Sequence, residues 1–182
     1  MLNIIMARRE ICKYPDPVLL QKTSRIEHID EFVNQLIEDM VETMYAAPGV
    51  GLAANQVGVP LQVTVIDLST REDKKHSNQL IVLINPEVLF LEGSIIEEEG
   101  CLSIPEHAEK VKRAAKIKIR AQDRTGKFFE IEAEGLLAKA LQHEIDHLNG
   151  LLFIDRLSPL KKNIFKRRFK KALVEKSKNH EE

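Results

Sequence analysis

The chain has 182 residues, of which 43 % are apolar and 30 % charged, with a formal net charge of −1. That is the size of one ordinary domain, which buries roughly 70 % of its unfolded surface and needs no staple to fold. Near-neutrality excludes a histone-like polyelectrolyte, no run approaches the ~20 apolar residues of a membrane span, and the absence of Trp leaves little material for stacking single-stranded bases.

The first nine residues place the basic pair Arg8-Arg9 after a short apolar run, the reverse of a secretory signal, so a cytoplasmic protein is expected. In that compartment Cys12 and Cys101 are expected as free thiols or a metal ligand rather than a disulfide. Residues 30–47 carry Phe32, Leu36, Met40 and Met44, interleaved with Val33, Ile37, Val41 and Tyr45. This spacing predicts a core-facing helix capped by Asp30 and stopped by Pro48-Gly49. The period then changes. Residues 61–67, 80–85, 88–97, 115–121 and 128–133 are rich in Ile and Val and read as strands, the last two joined by the turn Asp123-Arg124-Thr125-Gly126. Residues 71–78 read as a polar loop. A second helix is predicted over residues 136–149, with Gly135 before it and Gly150 at its C′ position. Pro159 opens a third, basic helix. Strands grouped between helices, without regular alternation, predict an α+β fold of mostly antiparallel strands packed around the second helix. Residues 1–160 are expected to form one catalytic domain, with residues 161–182 as a helical extension of it. That extension holds nine Lys/Arg against three Glu, whereas the rest of the chain is net acidic. A basic tail on an acidic body suits a polyanionic partner at one end.

The chemistry concentrates in Gln142-His143-Glu144-Ile145-Asp146-His147. Histidines at i and i+4 share a helix face, so both imidazoles reach one metal ion, and Glu144 beside the first can contact a water on it. Leu136 and Ala140 continue that face, which points the histidines inward. HExxH also occurs on solvated helices, so the third ligand matters. The last histidine of an extended HExxHxxGxxH pattern is replaced by Phe153, and Arg167 lies where a downstream Glu would be expected. His28, His76, His107 and His180 all sit in polar, loop-like or terminal settings. Cys101, in Glu99-Gly100-Cys101-Leu102-Ser103-Ile104-Pro105, is the better candidate. Gly100 permits close backbone approach and Pro105 stiffens the exit. One Cys and two His make a catalytic set that leaves a fourth position open, although a buried small hydrophobe is the commoner fate of a cysteine. Cys12 is read that way. Gly49-Val50-Gly51-Leu52-Ala53-Ala54-Asn55-Gln56 superficially matches a dinucleotide fingerprint, but it follows a helix and Pro48 rather than a strand. It reads instead as a backbone-lined wall with a side-chain amide.

Together, in this order, residues 49–56, 99–103 and 142–150 resemble the three motifs of the peptide deformylase family, GxGLAAxQ, EGCLS and QHExDHLxG. The resemblance covers nearly the whole chain and is to the bacterial form with a helical C-terminal extension. It implies removal of the formyl group from N-formylmethionyl nascent polypeptides, with release of formate through a metal-activated water. It implies Cys101, His143 and His147 as metal ligands and Glu144 as the catalytic acid/base. The Gln56 side chain and the Leu102 backbone N–H are implied as oxyanion donors. Gly49 and Gly51 would flank the substrate backbone, and Val50, Leu136 and Ala140 would line the methionine pocket. The implied cofactor is one divalent ion, Fe(II) in the cell, with Zn, Ni or Co in purified protein. The implied partner besides the nascent chain is the ribosome, through the basic helix, with neither a membrane nor sequence-specific nucleic acid. Two residues depart from the family pattern: Ala108 stands where many members have Arg, and Lys139 where relatives are often apolar.

Overall fold

The computed structural model describes residues 7–69 and 80–178, with side chains to residue 172. The predicted polar loop 71–78, His76 and His180 lie outside the described residues. The first long element is α1 (Glu31–Ala46). Asp30 caps it as expected, its Oδ1 accepting the Val33 N–H at 3.0 Å and satisfying one of the helix's unpaired donors. The apolar stripe begins with Val33 and Leu36, whereas Phe32 in the capping turn is left in solvent.

Seven strands follow in the order β1 (Gly51–Ala53), β2 (Val63–Ile66), β3 (Ile81–Glu92), β4 (Ile95–Cys101), β5 (Ile104–Arg113), β6 (Lys116–Gln122) and β7 (Phe128–Glu134), then α2 (Gly135–Leu148) and α3 (Pro159–Lys178). Five strands form one sheet in the order β1-β2-β3-β6-β7, and β4-β5 form a separate hairpin. Every pairing among the named strands is antiparallel. The architecture is α+β.

Two strand assignments are corrected. Residues 80–85 and 88–97 are not separate strands: β3 runs through Pro86, and β4 starts only after a turn at Gly93, whose φ is +66°. Pro86 falls in the register shift between Ile84 and Glu87, where no ladder donor is needed. Beside it Asn85, at φ +51°, accepts from Ile26 N–H and donates to the Ile26 carbonyl and Gln122 Oε1, each at 2.8 Å. The second correction is β5, for which no strand was predicted. Among its residues only Ile104, Val111 and Arg113 are buried, so its ladder with β4, rather than an apolar face, holds it. Pro105 therefore lies within a strand instead of stiffening a loop exit.

Helix α1 packs Leu36, Met40 and Met44 with Leu52, Val63 and Ile84. Helix α2 packs Leu137, Leu141 and Ile145 with Ile117, Ile119 and Ala133 on the same sheet. A third cluster holds Phe153, Ile104 and Leu19 beneath α3. Phe153, the residue that interrupts the longer histidine pattern, is thus core. Gly150 ends α2 at φ +72°, and a Cβ there would lie 2.8 Å from the Leu20 carbonyl oxygen; a side chain is excluded on both counts. The apolar face of α3 is satisfied by the body: Phe165 is buried, Phe169 meets Tyr14 at 5.0 Å between ring centroids, and Phe165 meets His107 at 5.2 Å. Its basic residues Lys166, Arg167, Arg168 and Lys170 face solvent. Among the described residues no helix is long and apolar enough to cross a membrane.

Candidate active site

The site is built where β4 meets α2, and the match rests on commensurate repeats. Two strand residues advance about 6.7 Å and four helical residues about 6 Å, so residues 97, 99 and 101 can stay in step with 139, 143 and 147. Three rungs result. Lys139 Nζ lies 2.8 Å from Glu97 Oε2, His143 Nδ1 3.1 Å from Glu99 Oε2, and His147 Nε2 3.2 Å from Cys101 Sγ.

On the inner rungs, donor atoms of Cys101, His143 and His147 all lie within 4.8 Å of one another. Ionised Glu99 can only accept, so His143 Nδ1 carries the proton and Nε2 is the ring nitrogen left for the cluster. Burial alone would push the Cys101 thiol up, but His147 and His143 draw it well below its ordinary value. Burial likewise opposes charge on His143, yet Cys101 and Glu99 raise it well above the usual imidazole range. The surroundings therefore favour the thiolate, which is the ligating form. A sulfur and an imidazole nitrogen bound to one tetrahedral ion sit roughly 3.6 Å apart, close to the observed Cys101–His147 spacing. Among the described residues the buried Glu144 Oε2 and His147 Nδ1 have no hydrogen-bond partner. This donor set fits a divalent cation with one coordination position left open.

Glu144 is 4 % exposed, and burial raises its carboxyl above the ordinary value. Its carboxylate fills the space where a Cβ on Gly51 would be, so any larger residue there would push the Glu144 side chain out of its place. Gly49 serves Leu102 in the same way, since a Cβ there would lie 2.7 Å from Leu102 Cδ1. Gly100 needs no such explanation: its nearest neighbour would be 3.7 Å away, an ordinary contact. Gln56, on a short 3₁₀ turn after β1, is held by its Oε1 accepting the Ala53 N–H at 2.9 Å. That turns Nε2 toward Ser103 Oγ at 3.1 Å and Cys101 Sγ at 3.7 Å.

These groups open onto a cleft of about 720 Å³ whose lining includes Gly49, Val50, Gly51, Gln56, Cys101, Leu102, Leu136, Ala140, His143 and Glu144. Of the residues singled out from the sequence, only His147 lies behind the wall, 1 % exposed. Ala108 and Lys139 line the cleft too. A hollow of about 900 Å³ beside Leu68, Leu80 and Phe129 is lined, among the described residues, by no Cys or His.

The supporting groups were the ones sequence reasoning missed. Arg113 grips Glu99 through two bonds of 2.7 and 2.9 Å and reaches Asp146 at 2.5 Å. Arg156 closes the chain with 3.0 Å from Nε to Asp146 Oδ2. Burial would raise Glu99, but Arg113 and His143 outweigh it and hold its carboxyl at about 2. Asn55 Nδ2 donates to the His147 carbonyl at 2.6 Å, pinning the end of α2. Glu99 and Asp146 were visible inside motifs, but Arg113 stands in an irregularly charged strand with no local signal.

Known proteins share this sequence and fold. Residues 8–163 match the polypeptide deformylase family. The chain is 58 % identical to a peptide deformylase of Syntrophobacter fumaroxidans, over 93 % of this chain and 98 % of the relative. It is 53 % identical to that of Thermodesulfovibrio yellowstonii, over 91 % and 98 %. The crystal structure of a peptide deformylase from Legionella pneumophila superposes with a TM-score of 0.82 at 48 % identity, covering 92 % of this chain and 98 % of that one. A three-motif resemblance, a shared fold and identity over almost the full length converge on one conclusion: the chain belongs to the peptide deformylase family, metal-dependent hydrolases that remove the N-terminal formyl group from nascent polypeptides.

Proposed function

We propose that Cys101, His143 and His147 hold the divalent ion of this deformylase and that Glu144 is its acid/base. The observation that carries this is the convergence of those three donors within 4.8 Å beside a buried carboxylate with an unpartnered oxygen. When bound, such an ion supplies Lewis acidity and lowers the pKa of water from 15.7 to roughly 7. Glu144 then takes the proton of the attacking water and passes it to the leaving nitrogen, a transfer its burial-raised carboxyl suits. Gln56 Nε2 and the Leu102 N–H donate to the oxyanion that develops on the formyl oxygen, and such a donor is worth ~10²–10³ in rate. The Gly49-Val50-Gly51 segment lies along the substrate backbone, while Val50, Leu136 and Ala140 receive the methionine side chain. A thiolate ligand makes the site oxidisable, in keeping with Fe(II) in the cell and Zn, Ni or Co in purified protein. Residues 1–160 act as one catalytic domain, with residues 161–182 as its helical extension. The enzyme works in the cytoplasm, and the exposed cations of α3 bind the ribosome.

The test is formate release from a formyl-Met tripeptide by anaerobically Fe(II)-loaded protein. Glu144→Gln is expected to lower kcat by at least ~10² while metal content stays the same. Undiminished turnover in Glu144→Gln would remove Glu144 from the mechanism.

A further inference from the structure

The outermost rung of the β4–α2 ladder is not explained by catalysis. Lys139 and Glu97 repeat the geometry of His143–Glu99 one step further from the metal ligands. Leu136, Lys139, Ala140 and His143 fall at i, i+3, i+4 and i+7, so they form one stripe on α2, and all four line the cleft. The wall proposed to receive the first side chain is therefore not wholly apolar. A lysine interrupts it between two aliphatic residues. Its side chain is only 18 % exposed. One of its three N–H groups is taken by Glu97 at 2.8 Å, and the Glu98 carbonyl is a long contact at 3.4 Å. That leaves one N–H of the three for a group bound in the cleft that Lys139 lines.

We infer that Lys139, poised by Glu97, is a specificity residue that lets the pocket accept a first side chain ending in a hydrogen-bond acceptor. The methionine-length side chain of that class is methionine sulfoxide, whose oxygen a fully apolar wall would strip of water without replacement. Norleucine is the apolar control of the same length. The inference rests on the deformylase reading of the cleft. Glu97 has one function in it: it neutralises the ammonium so that ordinary methionine is still admitted, while occupying one of its N–H groups.

The experiment compares kcat/KM for formyl-Met(O)-Ala-Ser and formyl-Nle-Ala-Ser in the full-length metal-loaded enzyme. In Lys139→Met the sulfoxide-to-norleucine ratio is expected to fall about tenfold, the usual worth of a hydrogen bond to a charged donor, chiefly through KM for the sulfoxide. In Glu97→Gln, which keeps the ammonium, the ratio is expected to equal or exceed that of the wild type. Calorimetric titration with the released peptides, Met(O)-Ala-Ser against Nle-Ala-Ser, should show the same ordering without turnover. A ratio in Lys139→Met within twofold of wild type overturns the inference. So does an equal fall in Glu97→Gln, which would mean that the rung only braces β4 against α2. If the wild type releases formate from neither peptide nor from formyl-Met-Ala-Ser, the deformylase reading itself fails.

Discussion

Helices α2 and α3 both carry ionisable residues, and the protein treats them in opposite ways. On α2, Glu144, Asp146 and His147 are each at most 5 % exposed. On α3, Lys166, Arg167, Arg168 and Lys170 stand in solvent, while Phe165 and Phe169 pack on the body and Lys161 and Lys162 pair at its surface with Glu109 and Asp155. A buried charge is costly unless paired and hydrogen-bonded, so α2 draws partners from other elements: Arg113 from β5, Glu99 from β4, Arg156 from the turn after α2. Solvated cations require none of this. The contrast shows where this chain tolerates change and where one substitution propagates to the Cys101–His143–His147 cluster.

The largest effect should come from removing the hub of the buried network. Arg113→Ala leaves both Glu99 and Asp146 without their shared guanidinium, and urea unfolding is expected to show a loss of ~3–5 kcal/mol. A loss below ~1 kcal/mol would mean that solvent reaches these carboxylates freely, erasing the contrast with α3.

The same pairing can be examined through its proton. Glu99 is held at about 2, against an ordinary 4.5. A carboxyl with a depressed folded-state pKa contributes stability that is fully present above its unfolded value and disappears as pH falls through the folded one. Stability of the metal-free protein should therefore drop between about pH 4.5 and 2, by on the order of 2–3 kcal/mol from this group. Glu99→Gln should flatten that part of the pH profile, and thermal melts at stepped pH would show it. An unchanged slope would assign the acid sensitivity to another group.

The smallest effect on stability, and the sharpest on interaction, is expected at α3. The triple variant Lys166→Glu, Arg167→Glu, Lys170→Glu retains Phe165 and Phe169, so its stability should stay within roughly 1 kcal/mol of wild type. Its ribosome affinity should fall, with a shallower dependence on salt. Equal ribosome binding in co-sedimentation would leave α3 as a packed helix with a solvated face and no more.

Legibility in the sequence followed the range of the physics involved. Helix α1, with its Asp30 cap, and α2, with its Gly150 stop, were readable because caps and 3.6-residue spacing act within a few residues. The β6–β7 hairpin was readable from its turn. Strand β5 was not, because its polar residues form a strand only through register with β4, and β3 was split at a proline that the observed bulge accommodates. Phe32 was misread because the apolar stripe continues past the point where the helix is covered. Within the site, His143 and His147 announced each other by spacing, and Cys101 joined them through its motif. Gly51 was read as a substrate-flanking residue, and its steric partner Glu144 became evident only in three dimensions.

By itself, then, the chain determined an α+β domain, the pair of histidines on one helix face, the motif that carries Cys101 and the basic amphipathic tail. Each of these is written in local periodicity or in a short motif. Only the tertiary structure decided that β4 and α2 run in step, so that Cys101 meets His147, Glu99 meets His143 and Lys139 meets Glu97. Only it placed Arg113 between Glu99 and Asp146. Those contacts depend on long-range register and on desolvation, and neither is encoded at any single position: Arg113 pairs with Asp146 across 33 residues because burial leaves it no cheaper alternative.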